Sequence, residues 1–113
     1  MKILLVEDEP DDIKHFLLLF GGEHEIDVAH TAAEAIATID SSFEVVVVDY
    51  CIPGAISDSL IQVLRTMHPE NHLIVLSGMF GSKETLPKTR DGYSRLRHCI
   101  EQCQAMISTR TDT

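Results

Sequence analysis

Phe43-Glu44-Val45-Val46-Val47-Val48-Asp49 is the stretch from which the fold can be read. Four consecutive β-branched valines leave neither face of a strand polar, so the run predicts a central strand of a parallel sheet, buried from both sides. It stops at one carboxylate. Ligands in open α/β sheets bind outside the carboxyl ends of the strands, which makes Asp49 the first candidate functional residue.

Two further runs share this design. Ile3-Leu4-Leu5-Val6 leads at once into Glu7-Asp8, and Leu73-Ile74-Val75-Leu76 into Ser77-Gly78. If these strands lie parallel and side by side, Glu7, Asp8, Asp49 and Ser77 converge on a pocket about two strand spacings across, roughly 10 Å. Such a convergence is expected to be a site.

With 113 residues the chain is expected to form one domain, residues 1–107, followed by a polar tail, residues 108–113. Hydrophobic content of 44% with few aromatics suits a core of Val, Ile, Leu and Ala. The formal charge of −9 argues against nucleic acid as a direct partner, because backbone binding needs clustered Lys and Arg. Five of the six residues 7–12 are acidic, a local excess that asks for a cation. The first apolar run is four residues long and ends in acids, so it reads neither as a signal peptide nor as a membrane span; the expected location is cytoplasmic, with no membrane partner. Cys51, Cys99 and Cys103 are odd in number and read as reduced thiols.

Along the chain, Pro10 with Asp11 and Asp12 opens a helix whose Ile13, Phe16, Leu17 and Phe20 share a face and which Gly21-Gly22 ends. Glu25, Ile26, Asp27 and Val28 alternate as an edge strand. Thr31 and Glu34 have capping-box spacing, and Ile36 and Ile39 carry that helix toward Asp40-Ser41-Ser42. After Asp49 comes a loop with Pro53-Gly54. Ser57 or Asp58 then caps a helix with Leu60, Ile61, Leu64 and Met67 on one face, closed by Pro69. The alternation βαβαβαβ specifies a parallel sheet with right-handed crossovers and helices on both faces. Tyr93, Leu96, Ile100, Cys103 and Ile107 mark a last amphipathic helix. Only ten residues, 78–87, separate Ser77 from Lys88, too few for a crossover that carries its own helix, so that segment is expected to be helix-free.

From Lys2 to about Ser77 the chain resembles the receiver domain of two-component response regulators. Val6-Glu7-Asp8-Glu9-Pro10 is similar to the family's acidic pair, Asp49 followed by Pro53-Gly54 to its phosphoacceptor loop, and Ser77 holds its hydroxyl position. The resemblance implies a flavodoxin-like doubly wound α/β sheet of strand order 2-1-3-4-5, here lacking the family's fourth helix. It also implies that Asp49 accepts a phosphoryl group from a histidine kinase or phosphotransfer protein. Asp8 would ligate Mg²⁺ directly and Glu7 through water, with Asp49 and the backbone carbonyl of Cys51 completing the metal's protein partners. Ser77 would bind phosphoryl oxygens, and Lys88, after Leu86-Pro87, matches the family's lysine, with Lys83 as its rival. Output would pass through an unknown protein or a second copy of the chain. Beyond its own phosphorylation and dephosphorylation, no enzyme activity is implied.

Three departures stand out. Lys88 is followed by Thr89 where the family has Lys-Pro, the aromatic switch position is Thr85, and the fourth helix is missing by length. Other readings of the same residues exist. The acids of residues 7–12 could be a solvated helix-capping run, and Lys88 a loop lysine. His98, Cys99 and Cys103 lack zinc-site spacing. A dinucleotide fold would need glycines where Glu7-Asp8-Glu9-Pro10 stands, and a dehalogenase-type phosphatase a second acid where Cys51 stands. The surviving alternative is a pseudo-receiver, an interaction module with a vestigial pocket.

Overall fold

Period-two alternation assigns each strand residue to one of two layers. The computed structural model describes residues 1–50, 57–68, 72–77 and 85–111. In chain order the elements are β1 (Lys2–Val6), α1 (Pro10–Phe20), β2 (Glu25–Ala29), α2 (Ala32–Thr38), β3 (Val45–Asp49), α3 (Ser57–Met67), β4 (His72–Ser77), β5 (Thr85–Pro87) and α4 (Arg90–Thr111). All strand pairs are parallel, in the order β2-β1-β3-β4-β5. This is the doubly wound, flavodoxin-like arrangement expected, with four helices among the described residues.

Val45, Val46, Val47 and Val48 are all fully buried, as a two-faced central strand requires. Leu4, Val6, Val46 and Val48 pack against Ala32 and Ala35 of α2 and Leu60 and Leu64 of α3. On the opposite face Ile3, Leu5, Val45 and Val47 meet Phe16 and Phe20 of α1 and Tyr93, Leu96, Ile100 and Cys103 of α4. The layers thus sort as α2 and α3 on one side, α1 and α4 on the other.

Local chemistry sets the helix ends. Pro10 occupies the first turn of α1 with Asp11 and Asp12 beside it, and Gly21 donates its N–H to the Leu17 carbonyl at the C-terminus. Thr31 Oγ1 accepts the Glu34 N–H at 3.1 Å, while the Glu34 carboxylate reaches past the cap to the His30 N–H. Ser57 is already helical, so the cap of α3 lies outside the described residues.

Several details of these expectations are corrected. α2 stops at Thr38, because Ile39 turns extended (φ −62°, ψ 135°) to bury its side chain in the α2/α3 core, and a turn in which Ser42 donates to Asp40 follows. Leu17 is 40% exposed, since the buried stripe of α1 runs through Phe16 and Phe20 with Leu19 at its edge. Met67, the last residue of α3, is 42% exposed, so that apolar face ends a turn early. Finally, residues 85–87, read from the sequence as part of a connection, form strand β5, whose place the implied order required but the pattern did not reveal. Helix α4 also continues to Thr111, into the stretch expected as a tail.

The parallel return from β4 to β5 uses only the seven residues 78–84, which lie outside the described set. Register explains how so few suffice. Val75 pairs Thr85 and Ser77 pairs Pro87, so the chain need step back only two residues, about 7 Å along the strand, and about 5 Å sideways.

Because Phe16 is fully buried between sheet and α4, Phe16→Ala should cost about 3–5 kcal/mol in urea unfolding. Leu18→Ala, at a position 76% exposed on the same helix, should change stability by about 0.5 kcal/mol or less. Equal small losses would show that α1 does not pack as described.

Candidate functional site

The register of β1 and β3 brings two acids level. Val6 pairs Val48, so the residues that follow, Glu7 and Asp49, end adjacent strands side by side. Both continue the alternation of Ile3, Leu5, Val45 and Val47 toward the α1/α4 layer. At 2% and 5% exposure they are the buried charged residues among those described. They flank the point where the chain leaves β1 to one side for β2 and resumes on the other with β3, the switch point at which open α/β sheets bind ligands.

A cation arrives from the far end of the sheet. β5 delivers Pro87, and Thr89 caps α4 through its side chain to the Gly92 N–H (3.1 Å) and its carbonyl to the Tyr93 N–H (2.9 Å). Gly92 permits the close seating of this first turn, since a Cβ there would stand 1.8 Å from the Pro87 carbonyl oxygen. Lys88, held between strand and cap, places Nζ 2.7 Å from Glu7 Oε2, 2.8 Å from Asp12 Oδ2 and 3.3 Å from Asp49 Oδ2. An ammonium has three N–H donors, and here three carboxylates surround it. Thr89, directly after Lys88, is therefore a helix cap, and Lys88 still reaches the acids.

One ammonium does not neutralise the group. Burial pushes the Glu7 carboxyl from its ordinary 4.5 up to about 7, opposed by hydrogen bonds from Lys88 and from the Glu9 N–H, and reinforced by the neighbouring Asp49 charge. Burial alone would lower Lys88, but its hydrogen bonds to Asp12 and Glu7 and the charges of Glu7 and Asp49 outweigh that and raise it. Asp8, exposed at the mouth, joins Glu7 and Asp49 in a cluster whose ligand oxygens all lie within 4.8 Å of one another. Three hard oxygen donors at this spacing suit a divalent cation such as Mg²⁺.

Of the residues singled out from the sequence, Glu7, Asp8, Asp49 and Lys88 come together. Ser77 ends β4 one residue beyond Leu76, the partner of Asp49, so its backbone stands at the same sheet edge. Cys51 and Lys83 lie outside the described residues, as do Pro53 and Gly54. Asp12 was not singled out. Its signal was hidden, because an acid in a first helical turn already has a sufficient reason in the helix dipole.

No family model matches the chain, and no curated protein matches it in sequence. Solved structures do. The signal receiver domain of a putative Luxo repressor protein from Vibrio parahaemolyticus superposes with TM-score 0.79 at 16% identity, over 99% of this chain and 97% of that one. The response regulator protein TrrA from Thermotoga maritima, solved with Mg²⁺-BeF, gives 0.76 at 20% identity over 90% and 97%. TrrA solved in complex with the histidine kinase ThkA gives 0.75 at 22% identity, again over 90% and 97%. The fold of this chain is that of response-regulator receiver domains.

The raised Glu7 carboxyl has a consequence for stability. Between about pH 4.5 and 7 the folded protein keeps a proton that the unfolded chain releases, so this group's contribution falls as pH rises through that window. His24, lowered chiefly by burial, acts in the opposite sense, so the measurement is a difference between proteins. Without divalent metal, urea unfolding across pH 5–7 should show the wild type losing stability with rising pH relative to Glu7→Gln. Parallel pH curves would mean that Glu7 titrates normally.

Proposed function

We propose that this chain is a phosphoryl-accepting receiver that takes a phosphoryl group on Asp49 from the phosphohistidine of a kinase or phosphotransfer protein and signals through protein contacts. The observation that carries this is the convergence of Glu7, Asp8, Asp49 and Lys88 at the switch point of a receiver fold. An Asp49 oxygen would attack the phosphorus; the O–P bond forms as the donor's P–N bond breaks, and the electron pair leaves with the imidazole nitrogen. Such transfer asks the protein chiefly for alignment and for neutralisation of charge on the phosphoryl oxygens. Lys88, already 3.3 Å from Asp49, would supply part of that charge, and the Ser77 hydroxyl would donate to a phosphoryl oxygen.

Glu7, Asp8 and Asp49 would hold Mg²⁺ with the Cys51 carbonyl, and the bound cation would supply the charge that lets three carboxylates and a phosphoryl group share one pocket. Burial, with the Asp49 charge beside it, raises the Glu7 carboxyl to about 7 despite Lys88, which supports a further cation in this pocket. TrrA's complex with a histidine kinase supports a kinase as partner. An output protein or a second copy of the chain would receive the signal. Among the described residues no helix is long and apolar enough to cross a membrane, which is in keeping with a cytoplasmic role. Convergence of the acids on Lys88 favours this reading over a vestigial pocket.

Intact mass after treatment with a small phosphodonor and Mg²⁺ should show one added phosphoryl group, absent in Asp49→Asn. No addition, or equal labelling of the Asn variant, would refute the proposal. In parallel, millimolar Mg²⁺ should raise the melting temperature of the parent protein and leave Asp8→Ala unmoved, because a ligand of the native state stabilises it by mass action. A parent protein indifferent to Mg²⁺ would count against a metal site.

A further inference from the structure

Lys88 has more partners than phosphoryl recognition needs. Its contacts to Glu7 and Asp49 lie within the candidate site, but Asp12, on the first turn of α1, is outside the metal cluster and still holds Nζ at 2.8 Å. That contact is a charge-assisted hydrogen bond at good length. Lys88 is nearly enclosed, its side chain 12% exposed, while the Asp12 side chain is 35% exposed and can turn to water when released. A group with three donors facing three carboxylates must give one up before it can engage a new anion.

We infer that Asp12 is a latch on Lys88: in the resting protein it holds the ammonium on the α1 side of the pocket, and a phosphoryl group on Asp49 must take the lysine from it. This inference rests on the phosphoryl-accepting reading. Asp12 is a positioning residue, acting on the incoming group only through Lys88. It weakens the phosphorylated state by competing for the lysine, and its release reports occupancy of the site to the N-terminus of α1. Glu7 cannot play this part, because it is buried and level with Asp49, whereas the freed Asp12 gains hydration.

Through-space repulsion offers a different cause for the same tightening, and Asp11 separates the two. It is the neighbouring acid in the same helical turn and is not among the carboxylates that reach Lys88. The experiment is calorimetric titration of the full chain with beryllofluoride, a phosphoryl mimic, in saturating Mg²⁺. It compares wild type, Asp12→Asn, Asp12→Glu and Asp11→Asn, with circular dichroism to confirm folding. Asp12→Asn should bind about tenfold more tightly, Asp12→Glu should return toward wild-type affinity, and Asp11→Asn should stay near wild type. Affinity for Mg²⁺ alone should not rise in any of them. Unchanged or weaker binding by folded Asp12→Asn overturns the latch, as does an equal gain in Asp11→Asn. If Asp12→Asn does not fold, Asp12→Glu binding more tightly than wild type would also overturn it. Absence of beryllofluoride binding in the wild type would instead overturn the phosphoryl-accepting reading, and the latch with it.

Discussion

Glu7 and Asp49 end neighbouring strands with their side chains buried, and two carboxylates in such a place repel each other and lose their water. Lys88 allows the arrangement to persist, with Nζ within 3.3 Å of both. Removing one partner of a buried charged group typically costs about 3–5 kcal/mol, because the remaining charge is left without compensation. The position of the lysine therefore governs much of the surrounding structure. β5 needs only three residues because its task is to bring Pro87 and Lys88 to the sheet edge, and Gly92 is needed because α4 must start against the Pro87 carbonyl.

The same balance ties α1 to α4. At the N-terminal end of α1, Lys88 holds Asp12. Toward its C-terminal end, Arg97 of α4 donates to the Leu19 carbonyl (2.6 Å) and to Glu23 (2.8 Å) and lies 4.8 Å from the Phe20 ring centroid. The Arg97–Glu23 pair is solvent-exposed and adds little by itself, but packing over Phe20 fixes the direction of the side chain. Between the two cations runs a cleft of about 520 Å³ whose wall includes His15, stacked edge-on against Tyr93 at 4.8 Å. A change of charge at Asp49 would thus be felt first along the α1/α4 seam, since Lys88 is common to both.

How far these features were legible in the sequence depended on how local their causes are. The run Val45-Val46-Val47-Val48 could be nothing but a doubly covered strand, and Asp49 followed from where it stops; Glu7 and Asp8 followed in the same way from β1. β5 was illegible, because three residues carry no periodicity and its need is set by β4's register. Lys88 could be proposed only through resemblance, with Lys83 as a rival, because its approach depends on the cap at Thr89 and the gap at Gly92. Asp12 was masked by a sufficient local reason for an acid in a first turn. Met67 and Leu17 failed as core residues for a reason of shape: a periodic face says which side of a helix is apolar, not how far the layer beneath it extends.

The central claim is that one ammonium holds the buried carboxylates in check and leaves a deficit that a divalent cation would fill. Carboxyl-carbon NMR titration of Glu7, in wild type and in Lys88→Met, with and without Mg²⁺, tests it most directly. The expected result is a metal-free Glu7 that titrates at about 7 in the wild type, higher in Lys88→Met, and well below the wild-type value once Mg²⁺ is present. A Glu7 that titrates at 4.5 without metal, or that responds neither to loss of Lys88 nor to Mg²⁺, would contradict it.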